Sequence, residues 1–227
     1  MLTIIGRPSI VMDNPLAFIT PCATIVAGGS STGKTVLVSH ILNNLDYCYD
    51  KPTRKIMYFY TVYQPIFLQL EQELENIEFF KGLPTEEHLE AVEDANFHDI
   101  IIMDDLLAEC SSSQFVENLF VRNSHHNNIS LILITQCLYY AGKNRKTQAN
   151  NAQYFIFLKN KAALATINTF ARQRFPLRSR QFMEIYQDAT KKPFSFLIAD
   201  FHAKSDDKYA LRAGMLPGDD KIIYKMS

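Results

Sequence analysis

Residues 28–35 read Gly-Gly-Ser-Ser-Thr-Gly-Lys-Thr, set between an apolar run and a helical pattern. No other feature constrains the chain so strongly, because a Gly-x-x-x-x-Gly-Lys-Thr loop functions only where a strand ends and a helix begins. Gly28 and Gly33 let the backbone turn tightly, so that successive N–H groups point inward; Gly29, Ser30, Ser31 and Thr32 complete the cradle. Lys34 supplies a mobile cation for β- and γ-phosphates, and the Thr35 hydroxyl can ligate Mg²⁺. The helix that begins near Lys34 sets its positive dipole end beneath the phosphates. The implied ligand is ATP or GTP with Mg²⁺. A plain Gly/Ser-rich turn before a helix would leave the full eight-residue match unexplained.

Triphosphate chemistry also needs an acidic element at the carboxyl end of a buried parallel strand. Asp99-Ile100-Ile101-Ile102-Met103-Asp104-Asp105 meets that need, an apolar run closed by two carboxylates. Asp104 is expected to hold Mg²⁺ through water together with Thr35, and Asp105 to polarise the attacking water, with Glu109 in reserve. A competing role for one of the pair is to cap the next helix. A further buried-type strand, Ile129-Ser130-Leu131-Ile132-Leu133-Ile134-Thr135-Gln136, ends in a polar pair. A side-chain amide at Gln136 can donate to a γ-phosphate oxygen and accept from the attacking water. Taken alone, a solvated strand end is the lesser alternative; in order with the other two motifs it reads as a sensor of nucleotide state.

Strand-like segments fall near 23–28, 55–60, 99–105, 130–136, 152–158 and 194–200, with helical patterns at 34–46, 64–75, 86–95, 113–123, 161–172 and 179–188. This alternation predicts an α/β fold, a mostly parallel sheet with helices on both faces. Residues 1–22, broken by Pro8, Pro15 and Pro21, are expected to form an N-terminal arm or strand on a core spanning 23–200. Pro217-Gly218-Asp219-Asp220 marks a turn before Lys221-Ile222-Ile223-Tyr224, so 201–227 should add edge strands. With 227 residues, 47% of them hydrophobic, one P-loop domain can bury a sizeable core. No apolar stretch approaches the roughly 18 residues that span a bilayer, and no signal-peptide pattern opens the chain, so an intracellular protein with no membrane partner is expected. Cys22, Cys48, Cys110 and Cys137 form no Cys-x-x-Cys pair, and His125-His126 has no further ligands spaced nearby.

Net charge is only −1, but it is segregated. Between Leu68 and Glu109 stand thirteen acids and one Lys; between Ala141 and Ala199, eleven Lys/Arg and two acids. The basic half includes Lys143, Arg145 and Lys146 in one loop and Arg172, Arg174, Arg178 and Arg180 around Pro176. Such a face could follow a phosphate backbone, and equally could form a solvated surface or meet the acidic segment of another subunit.

The loop at 28–35, Ile-Ile-Met-Asp-Asp at 101–105, Ser-His-His-Asn-Asn-Ile-Ser-Leu-Ile-Leu-Ile-Thr-Gln at 124–136 and Asn150-Asn151-Ala152 before an apolar strand resemble one family. It is the FtsK/HerA superfamily of P-loop motors, and within it the genome-packaging ATPases of double-stranded DNA viruses of the poxvirus type. The resemblance implies a RecA-like core with extra edge strands, assembled as a homo-oligomeric ring of five or six subunits with nucleotide sites between neighbours. It implies that hydrolysis at Lys34, Thr35, Asp104 and Asp105, sensed by Gln136, drives double-stranded DNA into a preformed capsid. Capsid or portal vertex proteins would be its partners, and the virus assembly site in the host cell or the virion its place. An arginine from the adjacent subunit would complete the site. Where many relatives carry it, this chain has His125, which leaves Arg122 as first candidate and Arg145 as second.

Two rivals remain at this level. A small P-loop nucleotide or nucleoside kinase could use Arg172-Gln173-Arg174-Phe175-Pro176-Leu177-Arg178-Ser179-Arg180 as a lid, although it gains little from the carboxylate pair or Gln136. A cellular DNA pump of the same superfamily would generally carry further loading or anchoring domains. A binding protein with a degenerate nucleotide site is disfavoured, because Lys34, Thr35 and Asp104 are intact.

Overall fold

A strand covered on both faces must be apolar at nearly every position, and five segments of this chain meet that demand. In the computed structural model they are β1 (Ala23–Ala27), β4 (His98–Asp104), β5 (Ile129–Thr135), β6 (Tyr154–Leu158) and β7 (Phe196–Asp200), each buried throughout. The structure describes residues 14–89, 92–106, 109–110, 113–123, 127–138 and 149–226. The sheet is completed by β2 (Thr53–Tyr60), β3 (Ile77–Lys81), β8 (Leu211–Ala213) and β9 (Ile222–Ile223). Its nine strands run in the order β3-β2-β4-β5-β1-β6-β7-β8-β9. From β3 to β6 all pairings are parallel; β7, β8 and β9 add on antiparallel.

Alternate residues of the buried strands feed two separate cores, as the period of two requires. On one face Val26, Ile132, Ile134 and Ile156 join Val38 and Ile41 of α1 (Lys34–Leu42), Cys48 of α2 (Leu45–Cys48), and Phe67 and Leu70 of α3 (Pro65–Glu73). On the other, Ile25, Leu131, Leu133, Phe155 and Phe157 meet Val116 of α4 (Gln114–Asn118), Phe170 of α5 (Leu164–Arg174), and Phe182 and Tyr186 of α6 (Ser179–Ala189). This is the expected α/β architecture, a RecA-like P-loop fold with extra strands on the β7 side.

Several segments differ from expectation for physical reasons. Of the helix expected at 86–95, Glu86–His88 form a 3₁₀ turn capped by reciprocal bonds between Thr85 and His88, residues 92–95 are not helical, and residues 90 and 91 lie outside the described residues. The acids crowded there leave little apolar face to dock, and Asp94 closes an Asx turn by accepting from the Asn96 N–H at 2.9 Å. No strand was expected at 77–81, yet Ile77 and Phe79 pack against the α3 core while Glu78 pairs with Lys55, making β3 a short charged edge. The helix expected at 113–123 is α4 followed by a π-helical turn, Leu119–Asn123. Ahead of β1, Phe18 bridges to Tyr49, and Thr20 donates to Asp50 from both N–H and Oγ at 2.8 Å; residues 1–13 of the expected arm lie outside the described residues.

Candidate active site

The carboxyl ends of the parallel strands form one edge, and the phosphate loop turns over it. Gly28 N–H donates to the Thr135 carbonyl at 3.2 Å and Gly29 N–H to the Lys159 carbonyl at 3.3 Å, pinning the loop between β5 and β6. A Cβ at position 28 would stand 2.8 Å from both Leu158 Cβ and Thr32 Oγ1, so only glycine lets β1 leave the sheet here. Ser31 (φ 59°) and Gly33 (φ 90°) both occupy the left-handed region, which aims successive N–H groups into one concavity. Gly33 then caps α1, whose first turn carries Lys34 and Thr35.

Lys34 Nζ lies over the loop and donates to the carbonyls of Gly28 (3.1 Å) and Gly29 (2.8 Å). Partial burial lowers its pKa, a pull opposed by the charges of Asp104 and Asp105. Asp104 ends β4 almost fully buried, and its Oδ2 accepts from Tyr58 OH at 2.8 Å, Thr35 Oγ1 at 3.3 Å and Gln64 Nε2 at 3.4 Å. Burial raises its pKa, and the hydrogen bonds from Tyr58 and Thr35 work against that rise. A buried carboxylate beside a hydroxyl is a hard-oxygen donor pair, which fits Mg²⁺, an ion that keeps several waters and takes phosphate oxygens for the rest.

Asp105 differs in every respect from its neighbour. It is exposed, its φ of 55° turns the chain out of β4, and its backbone is fixed by Asp105 N–H to the Ile134 carbonyl (3.1 Å) and by Thr61 Oγ1 to its own carbonyl (3.3 Å). Its carboxylate takes no hydrogen bond among the described residues.

The strand order decides where Gln136 falls. β5 lies between β4 and β1, so its end emerges between the acid pair and the phosphate loop. Gln136 Oε1 accepts from Ser30 Oγ at 3.0 Å, tying the end of β5 to the loop itself. Asn160 holds the neighbouring strand end in register: its Nδ2 donates to the Gln136 carbonyl (3.1 Å), while its Oδ1 accepts from Ala163 N–H (3.0 Å). Tyr186 OH accepts from Asn160 N–H (2.9 Å) and donates to the Leu158 carbonyl (3.2 Å).

Lys34, Thr35, Asp104, Gln136 and Ser30 are therefore brought together, with Asp105 at the rim. Three supporting residues escape a reading of the sequence: Tyr58, Gln64 and Asn160. The usable signal for Tyr58 was a hydroxyl inside an apolar strand, which needs a partner once buried; Gln64 and Asn160 carry none. Glu109 is exposed on the segment beyond β4. Arg122 belongs to the π-helical turn, and its side chain, like all of His125, Lys143, Arg145 and Lys146, lies outside the described residues. The arginine-rich segment 172–180 does not reach the site. α5 runs away from the carboxyl edge and α6 runs back, so the turn between them sits at the opposite edge, where Arg174 Nη2 donates to the Ala149 carbonyl at 2.7 Å and its guanidinium covers Phe201. Among the described residues no helix is long and apolar enough to cross a membrane.

No protein-family model matches the sequence, and no curated protein matches it either. Solved structures do. B204, the DNA-packaging ATPase from Sulfolobus turreted icosahedral virus, matches with a TM-score of 0.55 at 14% identity, over 82% of this chain and 95% of that one. The genome packaging NTPase B204 from Sulfolobus turreted icosahedral virus 2, in complex with ATP-gammaS, matches with a TM-score of 0.54 at 13% identity, over 84% and 95%. EssC (ATPases 2 and 3) from Geobacillus thermodenitrificans gives 0.54 at 15% identity, over 88% of this chain and 40% of that one. At such identities the likeness speaks for the fold alone.

Proposed function

We propose that this chain is an ATP hydrolase of the FtsK/HerA type that moves double-stranded DNA, and that its work is viral genome packaging. One observation carries the reading: β5 is interposed between the acid strand and the phosphate-loop strand, and its terminal Gln136 bonds directly to Ser30 of the loop. A group that touches the phosphate loop from a neighbouring strand is placed to register whether a γ-phosphate is present and to transmit it along that strand.

The residues divide the chemistry among them. Lys34 and the loop N–H groups bind the β- and γ-phosphates, and Thr35 and Asp104 would hold Mg²⁺, which when bound neutralises charge on the phosphate oxygens. Asp105, exposed and unengaged, orients the water and takes up its proton as the water oxygen bonds to the γ-phosphorus. The bond from that phosphorus to the β–γ bridging oxygen breaks, and ADP leaves with the electron pair. Gln136 exchanges its bond to Ser30 for one to the γ-phosphate. An arginine of a neighbouring subunit, Arg122 or Arg145, would complete the charge stabilisation.

Support for packaging comes from B204, which bears that description and matches nearly its whole length; capsid proteins as partners and a ring of five or six belong to the same proposal. The kinase alternative loses its lid, since residues 172–180 lie at the far edge of the sheet. The test is ATP binding and turnover by the wild type, Lys34→Ala and Gln136→Ala. Lys34→Ala loses both, whereas Gln136→Ala keeps nucleotide affinity and loses turnover roughly 100-fold. Wild-type turnover by Gln136→Ala, or phosphate appearing on a nucleoside acceptor rather than in water, overturns the reading.

A further inference from the structure

Phe194 is 69% exposed in a loop that otherwise reads Lys191-Lys192-Pro193 before it and Ser195 after it. Its φ of 62° is a left-handed conformation that a bulky side chain adopts only against a steric cost. Ser195 fixes the turn by donating to the Lys192 carbonyl from N–H at 3.4 Å and from Oγ at 2.8 Å. The ring is not spent on the core: among the described residues it enters no aromatic pair and no cation contact. It stands instead against the phosphate loop, where a Cβ on Gly33 would come within 2.7 Å of Phe194 Cδ1. Val36, in the first turn of α1, is also 47% exposed.

The direction of a bound triphosphate follows from the strand order. Its γ end must face Asp104 and Gln136, which close β4 and β5 on one side of β1. Its other end then emerges on the β6 and β7 side, and the 191–195 turn that leads into β7 stands there at the same edge, because Phe196 pairs with Leu158. We propose that Phe194 is the nucleobase platform of this site, stacking on the base of the bound nucleotide. The inference rests on the nucleotide-binding reading above and adds to it where the base lies and what holds it. Stacking on a ring face accepts any base, so the platform supplies affinity rather than choice between ATP and GTP.

The test titrates ATP and inorganic tripolyphosphate, each with Mg²⁺, into the wild type, Phe194→Ala, Phe194→Trp and Phe194→Asn. Phe194→Ala should weaken ATP by roughly 5- to 150-fold and leave tripolyphosphate unchanged, while Phe194→Trp retains ATP binding. Phe194→Asn, suited to a left-handed φ, should lose ATP affinity yet keep or raise the thermal midpoint, which a merely structural side chain would not do. Equal weakening of both ligands, unaltered ATP affinity in Phe194→Ala, or a change in assembly size with ATP affinity intact overturns the proposal. A wild type that binds neither ligand would instead sink the nucleotide reading itself.

Discussion

Asp104 and Asp105 are adjacent in sequence and opposite in circumstance. Asp104 is buried, with three donors converging on one oxygen, so its charge is held in place and aimed at Thr35. Asp105 is turned outward by its left-handed backbone, with its carboxylate left for solvent or substrate. A base that must accept a proton needs that freedom, and a group that must hold a cation needs the opposite. Asp105→Asn should therefore bind Mg²⁺ and ATP as the wild type does while turnover falls roughly 10²- to 10⁴-fold. A parallel loss of binding, measured by titration calorimetry, would show that Asp105 serves the metal instead. At this scale the local geometry was readable from the sequence: Gly28 to Gly33 link β1 to α1, whose first turn carries Lys34 and Thr35. Tyr58, Gln64, Asn160 and Phe194 come from other elements, and only the register of β2, β6 and β7 against β1 brings them near.

Elements formed where burial demanded apolar runs and failed where it did not. β4 is the clearest case, since Ile100 to Met103 are fully buried and the strand's two ends are polar for different reasons. At its start Asp99 takes a bidentate bond from Arg54 (2.9 and 2.7 Å), and His98 is wholly buried with Nε2 3.1 Å from Thr53 Oγ1. Burial pushes the His98 pKa down to about 4 despite the nearby charges of Asp50 and Asp99, with Lys51 adding to the fall. Since the unfolded chain binds this proton near pH 6.5 and the fold does not, stability is complete above 6.5 and declines as pH falls toward 4, by about 3 kcal/mol. Urea midpoints should show this decline in the wild type and a shallower one in His98→Gln; parallel profiles would contradict it. The described residues of the acidic stretch at 86–95 form no α-helix because helical spacing there comes without an apolar face, and β3 escapes notice because a five-residue edge strand with two charges carries little pattern. The α/β alternation was legible, whereas the antiparallel direction of β7 was not, since nothing in an apolar run encodes which way it travels.

Over the whole molecule, sheet order converts charge segregation along the chain into segregation in space. The acidic residues between 68 and 109 fall largely on the β3, β2 and β4 flank, and the basic residues between 159 and 192 on the β6, α5 and α6 flank. Head-to-tail contact would set one flank against the other, the kind of heterologous contact from which the proposed ring would be built. Part of the basic set is already engaged within the chain: Arg174 covers Phe201 and Arg180 pairs with Glu184. The far end of the sheet is held by Arg212, buried and bonded to Asp200 at 2.8 Å and to the Leu16 carbonyl at 3.3 Å, so the N-terminal arm and the added strands close on each other. The most direct trial of a DNA-moving ATPase is steady-state ATP hydrolysis with and without linear duplex DNA, with assembly size followed by light scattering. A DNA-moving ring should show severalfold stimulation by DNA in a ring-sized species, weakened by salt and absent in Lys34→Ala. Hydrolysis indifferent to DNA, in a monomer or dimer, would contradict it.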